Sequence, residues 1–247
     1  MAIAKRTVEV LEDKSTLIRR SRELILSRLQ EAIAARGRFT IALAGGSTPK
    51  PLYEALAADA LPWSKIHVFW GDERYVPASH QDSNQRMARQ AWLDQVDLPE
   101  ANIHPIRTTG ANPQADAEQH EAELREFFSL TDGVPSFDLI LLGMGDDGHT
   151  ASLFPHTSAL TVSDRLITVG HKDGQPRLTF TVPLINQGRC VLFMVAGENK
   201  RAALQQVFAT QADATEYPSR LIQPQGELRW LLDQAAAQEL SVAQAST

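Results

Sequence analysis

Short runs of apolar residues recur along the chain, separated by longer stretches in which apolar positions repeat every three or four residues. Phe39-Thr40-Ile41-Ala42-Leu43, Phe137-Asp138-Leu139-Ile140-Leu141-Leu142 and Cys190-Val191-Leu192-Phe193-Met194-Val195 are too short for helices and too continuous for half-exposed strands. They read as parallel strands covered on both faces. Further strands are expected at 7–10, 63–70, 103–106 and 228–232. Residues 163–170 and 177–182 alternate as an antiparallel pair around a turn at 171–175. Leu17, Ile18, Ser21, Ile25, Leu29, Ala32 and Ile33 share one face of a helix predicted over 15–36, which Gly37 stops. Other helices are expected behind Thr48 as N-cap and Pro49, behind an acidic or serine cap near 82–83, and over 113–128, 184–188 and 201–208. A last one runs over 234–240 behind Asp233. Strand and helix alternate without repeat or linker, which predicts one α/β domain over 1–247, its mainly parallel sheet covered on both faces, with a flexible tail at 241–247.

Several strands end abruptly in polar loops. Gly143-Met144-Gly145-Asp146-Asp147-Gly148-His149 follows the run at 137–142, and its glycines allow a backbone that approaches a ligand closely while three ionisable groups crowd one turn. Glycine and aspartate are also ordinary turn residues, so the loop alone is not decisive. Ala44-Gly45-Gly46-Ser47-Thr48-Pro49 is a strand, glycine loop and helix start, which offers N–H groups, hydroxyls and a helix dipole to a phosphate, or simply forms a capped turn. The Walker lysine and spacing are absent. Gly71-Asp72-Glu73-Arg74 leaves a third strand, Arg86 lies about one turn inside the helix that follows, and Lys200 sits at a helix amino terminus where an anion would offset its charge. Three or more such strand ends predict one shared cleft.

Composition narrows the picture. Net charge is −6, with 43% apolar and 22% charged residues and no basic run, which argues against nucleic acid and requires cations to be gathered locally for any anionic substrate. No apolar run is long enough for a membrane span and the first residues lack a signal-peptide pattern, so a soluble, cytoplasmic protein is expected, as monomer or homodimer. Cys190 is the single cysteine and reads as core. His104 reads as a strand-edge and His120 as a helix-surface histidine. No metal-site spacing is present, and neither metal nor other cofactor is expected.

The runs at 45–49, 71–74, 83–87, 197–200 and 217–220, and above all 143–155, resemble the 6-phosphogluconolactonase family. The resemblance implies a Rossmann-like fold with a small accessory element, shared with glucosamine-6-phosphate deaminases and ribose-5-phosphate isomerases. It also implies cofactor-free hydrolysis of a sugar-phosphate lactone. On that basis His149 is the expected general base, Asp147 its orienting acid with Asp146 as alternative, and Arg74 a partner for charge on the carbonyl oxygen. Gly45, Gly46, Ser47, Thr48, Gly145, Lys200, Arg220 and Arg86 are expected around the substrate and its phosphate. Asp72 and Glu73 are expected close to the sugar or the arginines. A deaminase on the same fold would need a glutamate seven residues after Asp147, where this chain has Phe154. A non-catalytic sugar-phosphate sensor is the third possibility.

Overall fold

A computed structural model describes residues 6–108, 110 and 112–240. The tail expected at 241–247 lies outside them. β1 (Arg6–Leu11) leads into α1 (Lys14–Arg36), whose cap Asp13 accepts a bond from Thr16 N and whose end is set by Gly37 at φ 76°. β2 (Phe39–Leu43), α2 (Lys50–Ala57) and β3 (Ile66–Trp70) follow. Then come β4 (Asp72–Arg74), α3 (Asn84–Ala91), α4 (Pro113–Phe127) and β5 (Leu139–Leu142). The hairpin β6 (Ile167–Lys172) and β7 (Gln175–Phe180) precedes α5 (Val182–Asn186), β8 (Cys190–Val195), α6 (Arg201–Phe208), β9 (Glu227–Asp233) and α7 (Gln234–Ala237).

Six strands form a parallel sheet in the order β1-β9-β8-β5-β2-β3, and β4, β7 and β6 form a small antiparallel sheet. Every residue of β2, β5 and β8 is buried, so both faces of the sheet are covered there. This is the Rossmann-like architecture expected, with the antiparallel sheet as its accessory element. Cys190 is buried in β8, and burial pushes its thiol up to about 11. Phe193 stacks on Trp230 at 3.8 Å between centroids, locking β8 to β9. Each such side chain contributes about 1.5–3 kcal/mol through removal from water.

The sheet reverses between β2 and β5. From β2 the chain steps outward to β3, whereas from β5 it proceeds the other way through β8 and β9. The carboxyl ends of β2 and β5 therefore flank a topological switch point, where open α/β sheets bind ligands.

Five local expectations differ. Residues 63–65 form a 3-10 turn and β3 starts at Ile66, with Trp63 packed edge-on against Trp92 instead. At 103–106 only Ile103 bridges to Val68, because Pro105 has no N–H to continue the ladder. Thr48 is not the cap of α2: Pro49 takes helical angles and its carbonyl accepts from Tyr53 N, so the helix begins beyond reach of that hydroxyl. Residues 72–74, expected as loop, pair with 177–179 as β4. His120 is 1% exposed rather than on the helix surface.

Candidate active site

Backbone geometry shapes both loops at the switch point. After β2, the buried Tyr53 hydroxyl donates to Ala44 O at 2.7 Å and accepts from Ala44 N at 3.1 Å, which pins the chain just before the turn. Gly45 passes so close to Asn84 that a Cβ would lie 1.9 Å from Asn84 Oδ1, and Gly46 takes φ 99°. Only glycine fits both positions. After β5, Gly145 N donates to His149 O at 2.8 Å and Gly148 N to Gly145 O at 3.2 Å, so the loop folds back on itself.

That fold brings Asp147 onto His149. Asp147 Oδ1 accepts from His149 N at 3.0 Å and lies 2.5 Å from His149 Nδ1. The pair fills the space over Gly145, where a Cβ would sit 2.1 Å from the imidazole. Burial works against ionisation of Asp147, but the hydrogen bonds from His149 and the charge of Lys172 outweigh it, and the carboxyl titrates at about 2. An ionised Asp147 makes Nδ1 the donor and leaves the lone pair on Nε2, which bonds to no described residue. Asp146, the alternative orienting acid, is exposed, and the carboxylate on His149 is that of Asp147.

A cavity of about 410 Å³ opens over these strand ends, and Gly45, Gly46, Ser47, Thr48, Asp72, Arg74, Gly145, His149 and Lys200 all line it. Asp72 is buried and accepts from Ser152 Oγ at 2.6 Å. Phe154 also lines the cavity, as do Lys172, Arg177 and Asn84, which sequence reasoning missed as site residues. Phe154 lies against the His149 ring at 4.5 Å and carries Lys172 and Arg177 above it at 5.3 and 5.8 Å. Arg74 and Arg177 are direct partners across β4 and β7, and each has a buried Nε without a hydrogen-bond partner among the described residues. Burial first, then the facing Arg74, lowers the pKa of Arg177. Adjacent guanidinia with unfilled donors are costly unless negatively charged groups of a ligand offset them. The alternation of β7 around Arg177 was the one available signal, but β4 is too short to be read as its partner.

Three expected substrate contacts lie elsewhere. Glu73 is buried beneath the start of α3, where it accepts from Arg74 N, Asn84 N, Gln85 N and Ser83 Oγ at 2.7–3.1 Å. Burial raises its pKa against those bonds, and it acts as a helix cap. Arg86 Nη1 donates to Ser79 O outside the cavity. Arg220 Nη1 donates to the carbonyls of Gln206, Val207 and Ala209, each at 2.7 Å, because the carbonyls at the end of α6 have no next helical turn to donate to them. Among the described residues no group of three or more His, Cys, Asp or Glu is arranged to hold a metal, and no helix is long and apolar enough to cross a membrane.

A Rossmann-like sheet with a His-Asp pair and a cationic cavity at its switch point defines a sugar-phosphate enzyme class, and the chain belongs to the family of glucosamine-6-phosphate isomerases and 6-phosphogluconolactonases, whose model matches residues 12–230. Within it, the similarity runs to the lactonases. A 6-phosphogluconolactonase of Synechocystis sp. is 66% identical over 94% of this chain and 98% of its own length, and that of Mycobacterium tuberculosis is 35% identical over 95% and 98%. The solved 6-phosphogluconolactonase of Trypanosoma brucei superposes with a TM-score of 0.84 at 30% identity, covering 97% of this chain and all of that one. A monomeric glucosamine-6-phosphate deaminase shares the fold, with a TM-score of 0.79 at 17% identity over 94% and 99%.

Proposed function

We propose that the chain hydrolyses 6-phospho-D-glucono-1,5-lactone to 6-phosphogluconate, a step of the oxidative pentose phosphate pathway, in the cytoplasm and as one catalytic domain. The single observation that carries the mechanism is His149, held through Nδ1 by Asp147 with Nε2 left for a cavity rich in cations. The family and its lactonase relatives support the reaction class. The cavity draws on residues from Leu43 to Lys200, which supports a single domain.

His149 Nε2 takes a proton from water as the water oxygen bonds to the lactone carbonyl carbon. Asp147 stabilises the resulting imidazolium. Arg74 faces the negative charge that develops on the carbonyl oxygen. When the tetrahedral intermediate collapses, the bond from the carbonyl carbon to the ring oxygen breaks, and that oxygen takes the proton back from Nε2. The products are a free hydroxyl and a carboxylic acid, which ionises. Gly46, Ser47 and Thr48 with Lys200 and Arg177 hold the phosphate, as backbone N–H groups and charged donors together hold a dianion better than either alone. Phe154 stands where a deaminase would need a glutamate and cannot move protons, so ring opening of an amino sugar is not favoured.

The test is turnover of the lactone with spontaneous hydrolysis subtracted. Wild type accelerates it, and His149→Ala lowers kcat by roughly 10²–10⁴-fold with a small change in KM. A folded His149→Ala protein with near-normal kcat removes His149 from the mechanism. Binding of 6-phosphogluconate without turnover makes the protein a sensor.

A further inference from the structure

The carbonyl of Gly148, immediately before His149, turns away from the cavity into a second segment of chain. Ser219 meets it with two donors, its backbone N–H at 2.9 Å and its hydroxyl at 2.8 Å. Ser219 is 1% exposed, so solvent has no part in this contact. Tyr217 covers the same peptide: Gly148 has φ 79°, and a Cβ there would lie 2.9 Å from the tyrosine ring. The next residue, Arg220, is fastened to the three carbonyls that end α6. Ser219 and Arg220 belong to a single 3-10 turn, Pro218–Leu221. Beyond it the side chain of Asn186 holds Leu221 O and Gln223 N at 2.9 and 2.7 Å. The turn is thus anchored on α6 on one side and on the last residue of α5 on the other.

We infer that Ser219 and Arg220 are positioning residues for the base: the 217–221 turn is a rigid bracket that sets the Gly148 peptide, and through it the height and tilt of the His149 ring. The inference rests on the proposed role of His149. The physical reason is that Gly148 sits in a left-handed conformation and its carbonyl is held by the two Ser219 donors, so the peptide can swing when one of them is lost. A swing of that peptide carries His149 N away from Asp147 and displaces Nε2 from the attacking water, and misplacement by about 1 Å is worth up to about 100-fold in rate. Arg220 reaches the end of α6 remote from Lys200, so it acts on the base and not on the phosphate.

The experiment compares Ser219→Ala, Arg220→Ala and Arg220→Lys on 6-phospho-D-glucono-1,5-lactone and on glucono-1,5-lactone, which lacks the phosphate. Thermal unfolding confirms that each variant is folded. Ser219→Ala keeps one donor to Gly148 and is expected to lower kcat about 10-fold by the same factor on both lactones, with KM within about twofold. Arg220→Ala reproduces that pattern, and Arg220→Lys, which still donates to the α6 carbonyls, restores at least half of the lost rate. The titration of the His149 imidazole followed by NMR moves in Ser219→Ala and Arg220→Ala and returns in Arg220→Lys. That titration needs no turnover, so an unmoved midpoint in folded Ser219→Ala overturns the bracket whatever His149 does in catalysis. Near-normal turnover of His149→Ala overturns instead the reading of the base. A rise in KM for the phosphorylated lactone alone in Arg220→Ala, with normal kcat on the other, makes Arg220 a phosphate contact and also overturns the inference.

Discussion

With Asp147 ionised down to about pH 2, the Nδ1 proton of His149 has a fixed acceptor over the whole working range, and the tautomer of the ring is set by a neighbour two residues away. Asp147→Asn is therefore expected to lower kcat less than His149→Ala does, and to move the acid limb of the pH–rate profile to lower pH, since a carboxylate favours the imidazolium and an amide does not. A pH profile identical to wild type would show that Asp147 has no electrostatic part in catalysis. Arg177 makes a second residue-scale test. Arg177→Ala should weaken 6-phosphogluconate binding by about 1.5–3 kcal/mol, the range for charged hydrogen bonds, and barely affect the phosphate-free lactone. Equal damage with both lactones would place Arg177 at the carbonyl. The glycine-rich loop and His149 were legible in the sequence because their chemistry is local. The cations were legible only in part: Arg74 and Lys200 do line the cavity, but Arg220 and Arg177 both follow polar turns, and only the tertiary fold sends one to the end of a helix and the other into the cavity.

At the scale of elements, the buried strands declared themselves because both of their faces are covered, so that almost every residue had to be apolar. β4 could not, since three residues carry no period and its partner lies about a hundred positions on. That short strand explains Glu73. Its carboxylate ties the end of β4 to the first turn of α3 through three backbone N–H groups and the Ser83 hydroxyl. Glu73→Ala leaves those buried donors without an acceptor and should cost about 2–3 kcal/mol, lowering the thermal midpoint by roughly 5–10 °C. An unchanged midpoint, with reduced turnover, would return Glu73 to the substrate.

At the scale of the molecule, acid should weaken the fold through the far edge of the sheet. His67 Nδ1 and His104 Nε2 lie 3.2 Å apart with their rings stacked, Phe69 stacked on His104 and Phe127 edge-on to both, with Arg38 beside them and His120 and Glu123 facing from α4. Burial first, then the neighbouring histidines, holds His104 at about 4, and burial with Arg38 lowers His67. The unfolded chain takes up protons near pH 6.5 that the folded one refuses until about 4, so stability falls as pH drops through that window. The unfolding midpoint should therefore decline from pH 7 to pH 4.5, and less steeply in His104→Gln. An equal slope in that variant would assign the acid sensitivity to other groups.

β1 has one partner in the parallel sheet, and it is β9: Arg6 is in register with Leu228 and Leu11 with Asp233. Of the strands described, the earliest synthesised thus waits for the latest. At about 5–20 residues per second the interval is on the order of tens of seconds, during which the edge of β1 has no strand beside it. A nascent chain can assemble β2, β3 and β5 around the future cavity well before that closure. Translation stalled before residue 227 would leave a half-built molecule with the Phe193 face of β8 uncovered, a natural target for chaperones.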